Sequence, residues 1–337
     1  RLKAEAHVLR AYFHYMLVNF YAKAYHPATA ATDGGIPYVK EDDLLSVPSH
    51  KYTVQKVYDF VLKDLKAAFD LNGLPDRPVN TMRVGKAFAH AVEAKVRMSM
   101  HDFTGAAAAA NRSLALQNTV DDHRANLAPG ADPIFGTPGT FFNRPELQNS
   151  EDLFYTNSVN LVLNGITPDL KAAFEPGSIF YNRIAKANIL GASMYGLSDI
   201  DVLFGANVYL NASGLTTVDM YLTLAECKIR SGDVPGAMSI LNDTIRAKRV
   251  DPYTPLAAAN ATEAFAILKR VSRTETWFGP KNFINLKRWN TEEAYKETLR
   301  KTLLDVDYEL RPDSPLWILP FPQNATGYNP NLTQNYE

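Results

Sequence analysis

A single cysteine, Cys227, stands among 337 residues, so no disulfide can close within the chain. Its neighbours are apolar at helical spacing, which marks it as a small core residue and leaves the redox compartment open. Long apolar runs are missing too, for none approaches the roughly 20 residues that a membrane-spanning helix needs. Charge of either sign is not in excess. With 35 basic against 36 acidic residues, the chain has no surplus of the kind that holds phosphate backbones, which argues against a nucleic-acid partner. Catalytic signatures are equally scarce. "GASMYG" (191–196) lacks the spacing of a nucleophile elbow, and neither a phosphate loop nor a GxGxxG run is present. Of the seven histidines, the closest pair, His7 and His14, would lie about 10 Å apart on one helix at a rise of about 1.5 Å per residue. One metal ion, bound at about 2 Å, cannot join them, so both read as surface histidines. No cofactor or metal is expected, and enzymatic activity has no support.

What is present is globular. Hydrophobic residues make up 46% and charged residues 21%, values of a chain with a real core. The chain opens at Arg1 already inside a helical pattern, and since a natural start would carry Met, this beginning reads as a cut. Apolar residues at Val8, Leu9, Tyr12, Phe13, Met16, Leu17, Phe20 and Tyr21 set the period of an amphipathic helix, with Lys3, His7, Arg10 and His14 on another side. After the Pro- and Gly-rich "HPATAATDGGIPYVKEDD", "TVQKVYDFVLKDLKAAFDL" repeats that spacing from a Thr53 cap.

An internal repeat follows. Residues 83–117 match 214–248 at an offset of 131, with identities at Ala94 and Ala225, Asp102 and Asp233, Gly105 and Gly236, Ala106 and Ala237, and Asn111 and Asn242. Each copy runs a helix into a short turn, where the Asp can cap a second helix and the Gly-Ala pair lets two helices approach closely. Pro235 suits a first helical turn, where no backbone donor is required. These are helical hairpins of the tetratricopeptide kind, which stack to share a core. Between them, residues 118–216 are rich in Gly, Pro, Asn and aromatics, with only "LFYTN" and "VNLVL" reading as short strands. The expected fold is all-α: a tetratricopeptide-like solenoid with a loop-rich insertion carrying a few short strands. One domain is expected, with a helical scaffold over 1–117 and 217–310, the insertion at 118–216 and a C-terminal strap at 311–337.

In order along the chain, "AEAHVLRAYFHYMLVNFYAKAY" with "GGIPYV", the next helices, "YLTLAECKIRSGDVPGAMSILNDTIRAKR", "INLKRW" (284–289) and the closing "PFPQNATGYNPNLTQN" resemble the SusD/RagB family of cell-surface nutrient-binding lipoproteins. There are departures. Before "INLKRW" the family usually has an acidic and basic stretch with a Glu-Gly pair. Here Glu275 and Phe278 fit, Gly279 and Pro280 take the place of that pair, and Asn285 replaces a usual Asp. The resemblance implies a binding protein, not an enzyme. It would capture an oligosaccharide on the outer face of the outer membrane and pass it to a TonB-dependent transporter. A lipid anchor on a Cys upstream of Arg1 is implied in the same way. Peptide capture within the family, and an intracellular repeat scaffold gripping a protein, are the alternatives.

Sugar rings stack on aromatic planes, and their hydroxyls need polar partners at the rim. The chain has 17 Tyr, 17 Phe and 3 Trp. Those at helical spacing, such as Tyr12, Phe13, Phe20 and Tyr58, read as packing, as do all three Trp. Candidates are aromatics in loop sequence beside polar partners: Phe141, Phe142 and Asn143, then Tyr181, Asn182 and Arg183, then Tyr195. In the tail, Pro320 and Pro322 dictate an extended path, and Asn and Gln amides can serve backbone that no regular element satisfies. It reads as a strap docked through Trp317, Ile318 and Leu332.

Overall fold

The computed structural model describes residues 1–43, 47–127, 150–156, 162–185, 201–204, 211–277, 279–303 and 306–336. In chain order these form α1 (Leu2–Tyr21), α2 (Val54–Asp70), α3 (Lys86–Ser99), α4 (Phe103–Leu116), α5 (His123–Asn126), β1 (Val162–Ile166), α6 (Pro168–Ala173), β2 (Asp201–Phe204), α7 (Thr217–Arg230) and α8 (Val234–Ser239). Then come α9 (Ala261–Glu275), α10 (Lys281–Trp289), β3 (Leu299–Leu303), β4 (Val306–Leu310) and α11 (Gln323–Tyr328). The fold is predominantly helical. Contacts gather it into two compact units: Arg1–Leu74, Lys95–Gly105 and Phe283–Glu337 form the first, and Pro75–Ala94 with Ala106–Asn282 the second.

In the first unit α1 packs on α2. Thr53 caps α2, its hydroxyl accepting from the Lys56 N–H at 3.3 Å, and Val54, Val57, Tyr58, Val61, Leu65 and Ala68 bury one face. The buried face of α1 is rotated from the expected one. Ala4, Val8, Ala11, Tyr12, Tyr15 and Val18 face inward, while Phe13 and Leu17 are 50% and 40% exposed. Polar chemistry explains the rotation. Asp64 of α2 is buried and needs partners, and it accepts from Arg10 through two bonds of 2.7 Å, from His7 at 2.9 Å and from Tyr38 at 2.6 Å. Burial opposes its ionisation, but these bonds outweigh burial and hold its pKa below the usual range.

The surface reading of the histidines is corrected by the same packing. His14 is buried and stacks on Tyr38 at 4.0 Å. Its Nε2 accepts from the Val39 N–H at 3.1 Å, so its Nδ1–H donates to the Arg10 carbonyl at 2.8 Å. Both ring nitrogens are used in the neutral form, and burial lowers the pKa.

The repeat holds bond by bond at the offset of 131. Asp102 N–H reaches the Arg97 carbonyl at 2.9 Å, and Asp233 N–H reaches that of Lys228 at 2.8 Å. The Asp102 carboxylate accepts from Gly105 N–H at 2.9 Å, as that of Asp233 does from Gly236 N–H at 2.9 Å. Arg97 and Lys228 each pair with their Asp at 2.6 Å. Even the positive φ recurs, 63° at His101 and 86° at Gly232. Glycine is required after each cap, because a Cβ would meet the capping carboxylate at 2.2 Å on Gly105 and 2.3 Å on Gly236. Ala106 and Ala237 behind them are fully buried.

In the second unit α7 opens on a reciprocal capping box between Thr216 and Asp219 and packs against α8 and α9. Past α8 the helix widens into π turns (Ile240–Ile245) and tightens at Arg246–Lys248, and the Asn242 side chain there exchanges two bonds with the Leu256 backbone. The strands differ from those expected. Val162–Ile166 pairs antiparallel with Asp201–Phe204. The described part of "LFYTN" is no strand: Leu153 and Phe154 N–H groups both go to the Leu215 carbonyl, beside a single bridge from Asp152 to Thr216. A second antiparallel pair, β3 and β4, stands where helical scaffold was expected. Its cross-strand Arg300–Glu309 and Thr302–Asp307 bonds, at 2.9 and 2.7 Å, give period-two chemistry that no helix could satisfy.

The end of α1 shows what the tail does. A helix leaves its last carbonyls without intrahelical partners, and here each finds one within the first unit. Lys287 Nζ donates to Asn19 O at 2.8 Å and Ala22 O at 2.5 Å, Leu319 N–H to Phe20 O at 2.9 Å, and Asn335 Nδ2 to Tyr21 O at 2.7 Å. Trp317, Ile318, Phe321 and Leu332 are buried, and Phe321 stacks on Tyr21 at 5.2 Å.

Candidate functional site

Within the second unit, a cleft of about 110 Å³ opens between the α9 end, the turn after α6 and the π and 3₁₀ turns after α8. One wall is aromatic. Thr167 caps α6, whose Leu170 packs with Ile166 and Tyr181, and Phe174 and Trp277 lie against that cluster partly buried. Phe174 stacks on Tyr181 at 5.3 Å, and Phe180 meets Trp277 at 5.6 Å. Phe174 and Trp277 thus keep part of each ring toward the cleft.

The opposite wall is charged, and nearly all of its charge is already paired. Arg249 donates to Glu151 at 2.9 Å, to Glu275 at 3.2 Å and to the Asp121 carbonyl at 2.5 Å. Asp121 N–H in turn donates to Glu151 at 2.8 Å. Arg246 grips Glu175 through two bonds of 2.7 and 2.6 Å, and Lys281 reaches Asp219 at 2.9 Å. Burial pushes the Glu275 carboxyl up, with Arg249 acting against it. Burial also opposes ionisation of Glu175, yet the hydrogen bonds from Arg246 hold its pKa below the usual range. Arg270 is different: its side chain is 41% exposed, and its one ion pair among the described residues is a 3.9 Å approach to Glu175.

Glu151 and Glu275 are a carboxylate pair in a cleft, the feature a glycosidase would need. Arg249 bonds both, so the pair is engaged by a guanidinium. Among the described residues no group of three or more His, Cys, Asp or Glu could hold a metal ion, and no helix is long and apolar enough to cross a membrane.

Of the expected binding residues, Phe141, Phe142, Asn143 and Tyr195 lie outside the described residues. Tyr181 is 8% exposed and serves the aromatic cluster from behind. Asn182 is exposed and donates to the Pro176 carbonyl at 2.8 Å. Arg183 binds the carbonyls of His123, Arg124 and Leu127, closing α5. Sequence reasoning missed Phe174, Trp277 and Arg270. Phe174 stands immediately before "EPG", a turn signal that could have pointed to it; Trp277 was taken for packing and is only partly buried.

Comparison with known proteins adds the lineage. A family described as "Starch-binding associating with outer membrane" matches residues 1–98, and the SusD family matches 217–337. The chain belongs to the SusD/RagB family. Solved structures agree in fold over nearly the whole chain. A SusD superfamily protein from Bacteroides thetaiotaomicron has a TM-score of 0.62 at 17% identity, covering 99% of this chain and 78% of its own. A protein described as a putative sugar-binding protein from Bacteroides vulgatus reaches 0.69 at 16%, covering 99% and 76%. Surface glycan-binding protein A from Bacteroides uniformis gives 0.59 at 15%, covering 99% and 77%. No curated protein matches this SusD/RagB chain at a significant level.

Proposed function

We propose that this SusD/RagB chain is a non-enzymatic binding protein of the outer cell surface, which captures oligosaccharides and delivers them to a TonB-dependent transporter of the outer membrane. A lipid anchor upstream of Arg1 would hold it there. The observation that carries the reading is family membership joined to a cleft with an aromatic wall and a polar rim, the two surfaces that a sugar's C–H faces and hydroxyls require. Its paired carboxylates fit holding better than hydrolysis, because a general acid or nucleophile must be free to meet the glycosidic bond. Phe141, Phe142, Asn143 and Tyr195, which fall in the 118–216 stretch of the sequence, are proposed to extend the contact surface, with Asn182 and Arg183.

Isothermal titration against a panel of neutral and acidic glycans, with peptides in parallel, tests the ligand class. Glycan binding without turnover is expected. Binding to peptides alone would replace the ligand, and release of shorter sugars would restore an enzyme. Surface proteolysis of intact cells and co-purification with the transporter test location and delivery. Protection from external protease would refute the surface placement.

A further inference from the structure

The rim of the cleft has an uneven supply of hydrogen-bonding groups. Sugar hydroxyls both donate and accept, so a site for a neutral glycan needs acceptors as well as donors. Here the carboxylate and amide acceptors are engaged internally, and the hydroxyls of Thr274 and Thr276 send their protons to the Val271 and Ser272 carbonyls. Both oxygens of Glu175 are taken by Arg246, those of Glu151 by Arg249 and the Asp121 N–H, and those of Glu275 by Arg249. Asp219 accepts from Lys281 and from both the N–H and the hydroxyl of Thr216. Asn211 is used likewise: its oxygen accepts from Thr156 and Gly214 N–H, and its amide donates to Asp152 and Phe154.

Among the charged groups of the lining, what remains is a donor. Arg270 projects from α9 with five N–H groups and, among the described residues, only its 3.9 Å approach to a carboxylate that Arg246 already neutralises. It lines the same cleft as the partly exposed rings of Phe174 and Trp277. A planar guanidinium matches two oxygens of a carboxylate or sulfate at once, and such charge-assisted bonds are about twice as strong as neutral ones.

Resting on the glycan-binding reading above, we propose that this cleft takes acidic glycans, with an anionic group of the sugar on Arg270 and a ring face against Phe174 and Trp277. Uronate carboxylates and sulfate esters share that chemistry, and the test separates them. The intact chain is titrated with trigalacturonate, with a sulfated chondroitin oligosaccharide and with neutral maltohexaose, and each titration is repeated with Arg270→Gln, Arg270→Lys and Trp277→Ala.

At least one anionic glycan should bind more tightly than maltohexaose, and raising salt should weaken it. Losing a hydrogen bond to a charged group corresponds to about a tenfold loss or more, so Arg270→Gln should weaken the acidic glycan by about that factor and leave any neutral glycan unmoved. Arg270→Lys keeps the charge without the fork, and should recover part of the loss. Unchanged melting of the Arg270 variants, expected for a side chain this exposed, separates binding from folding. If neutral glycans bind as well as acidic ones and Arg270→Gln changes neither, the acidic specificity is overturned while the glycan-binding reading stands. If no glycan of either kind binds, that reading falls and this inference with it.

Discussion

Lys287 provides the sharpest test of how this structure is held together. It sits in the "INLKRW" segment of α10, 4% exposed, with its ammonium at the carbonyl end of α1. Burial draws its pKa down from 10.5 to about 7. In the unfolded chain the amine keeps its ordinary value, so between about pH 7 and 10.5 the unfolded state holds a proton that the folded state releases. Stability therefore rises with pH across that window, and it is lost as pH falls toward 7. Replacement by Met removes the titrating group and also strips donors from two carbonyls. Each unsatisfied carbonyl costs about 1–3 kcal/mol, while at pH 7 the variant regains the desolvation penalty of the buried ammonium. The two effects nearly cancel there. At pH 9 the wild type has shed about half of that penalty, so the cost of Lys287→Met should be greater by about 2.3 kcal/mol, from two pH units at about 1.36 kcal/mol each less about 0.4 kcal/mol because the folded-state amine is already half titrated at pH 7. Urea unfolding of both proteins at pH 7 and pH 9, followed by tryptophan fluorescence, measures the difference, and titrations common to both proteins cancel. An equal cost at both pH values would refute the reasoning. It would show that the carbonyls and the negative end of the helix dipole keep the ammonium charged against burial.

Three further outcomes follow from the contacts described. Asp64→Asn gives Arg10 one amide oxygen in place of two carboxylate oxygens while its pair with Glu41 persists, and should cost about 2–3 kcal/mol in urea unfolding; a loss under about 1 kcal/mol would mean solvent takes over the pairing. Asp102→Ala and Asp233→Ala each remove a helix cap of the same geometry and should each cost about 1 kcal/mol. Asn at either site should keep most of that, and Asn variants as unstable as Ala would show that the caps act through charge alone. Truncation after Pro315 removes the donors to Phe20 O and Tyr21 O with four buried apolar side chains, and should lower the melting temperature without changing glycan affinity. Lost binding at an unchanged melting temperature would make the tail a ligand strip instead.

Helices were legible because their signals are local. Thr53 reads as a cap from its place before an apolar period, and the offset of 131 carries the whole turn, down to the bond that the Asp accepts from the N–H of the Gly at the third residue of the next helix. The orientation of α1 was not legible, because it depends on a carboxylate 57 residues away from His7. Once Asp64 is buried, His7 and Arg10 must turn toward it, and Phe13 is carried outward. The site was hidden for a related reason. Phe174 ends α6 and Tyr181 opens a π-helical turn a few residues on, and which ring lines the cleft is decided by how α6 packs on Ile166, a contact that spacing cannot express. Arg270, Trp277 and Glu175 meet only in space, from segments about a hundred residues apart.

The motifs that identify the family are spent on a different task from ligand choice. "INLKRW" contributes Lys287 to the last carbonyls of α1, and the closing segment contributes the Leu319 N–H and the Asn335 amide to the two carbonyls between. Together they solve one problem, the unsatisfied end of a twenty-residue helix, and any sequence that solves it this way must keep a long cation and an amide at those positions. A change there is felt as an exposed or orphaned carbonyl whatever the ligand. The cleft is under no such constraint. Arg270 could be exchanged for another rim residue without disturbing a buried bond, since its one ion pair among the described residues is with a carboxylate that Arg246 already satisfies. A fold held this way persists at identities as low as those seen here, and identification of the family by its tail and the ligand choice proposed for the rim are separate readings of one chain.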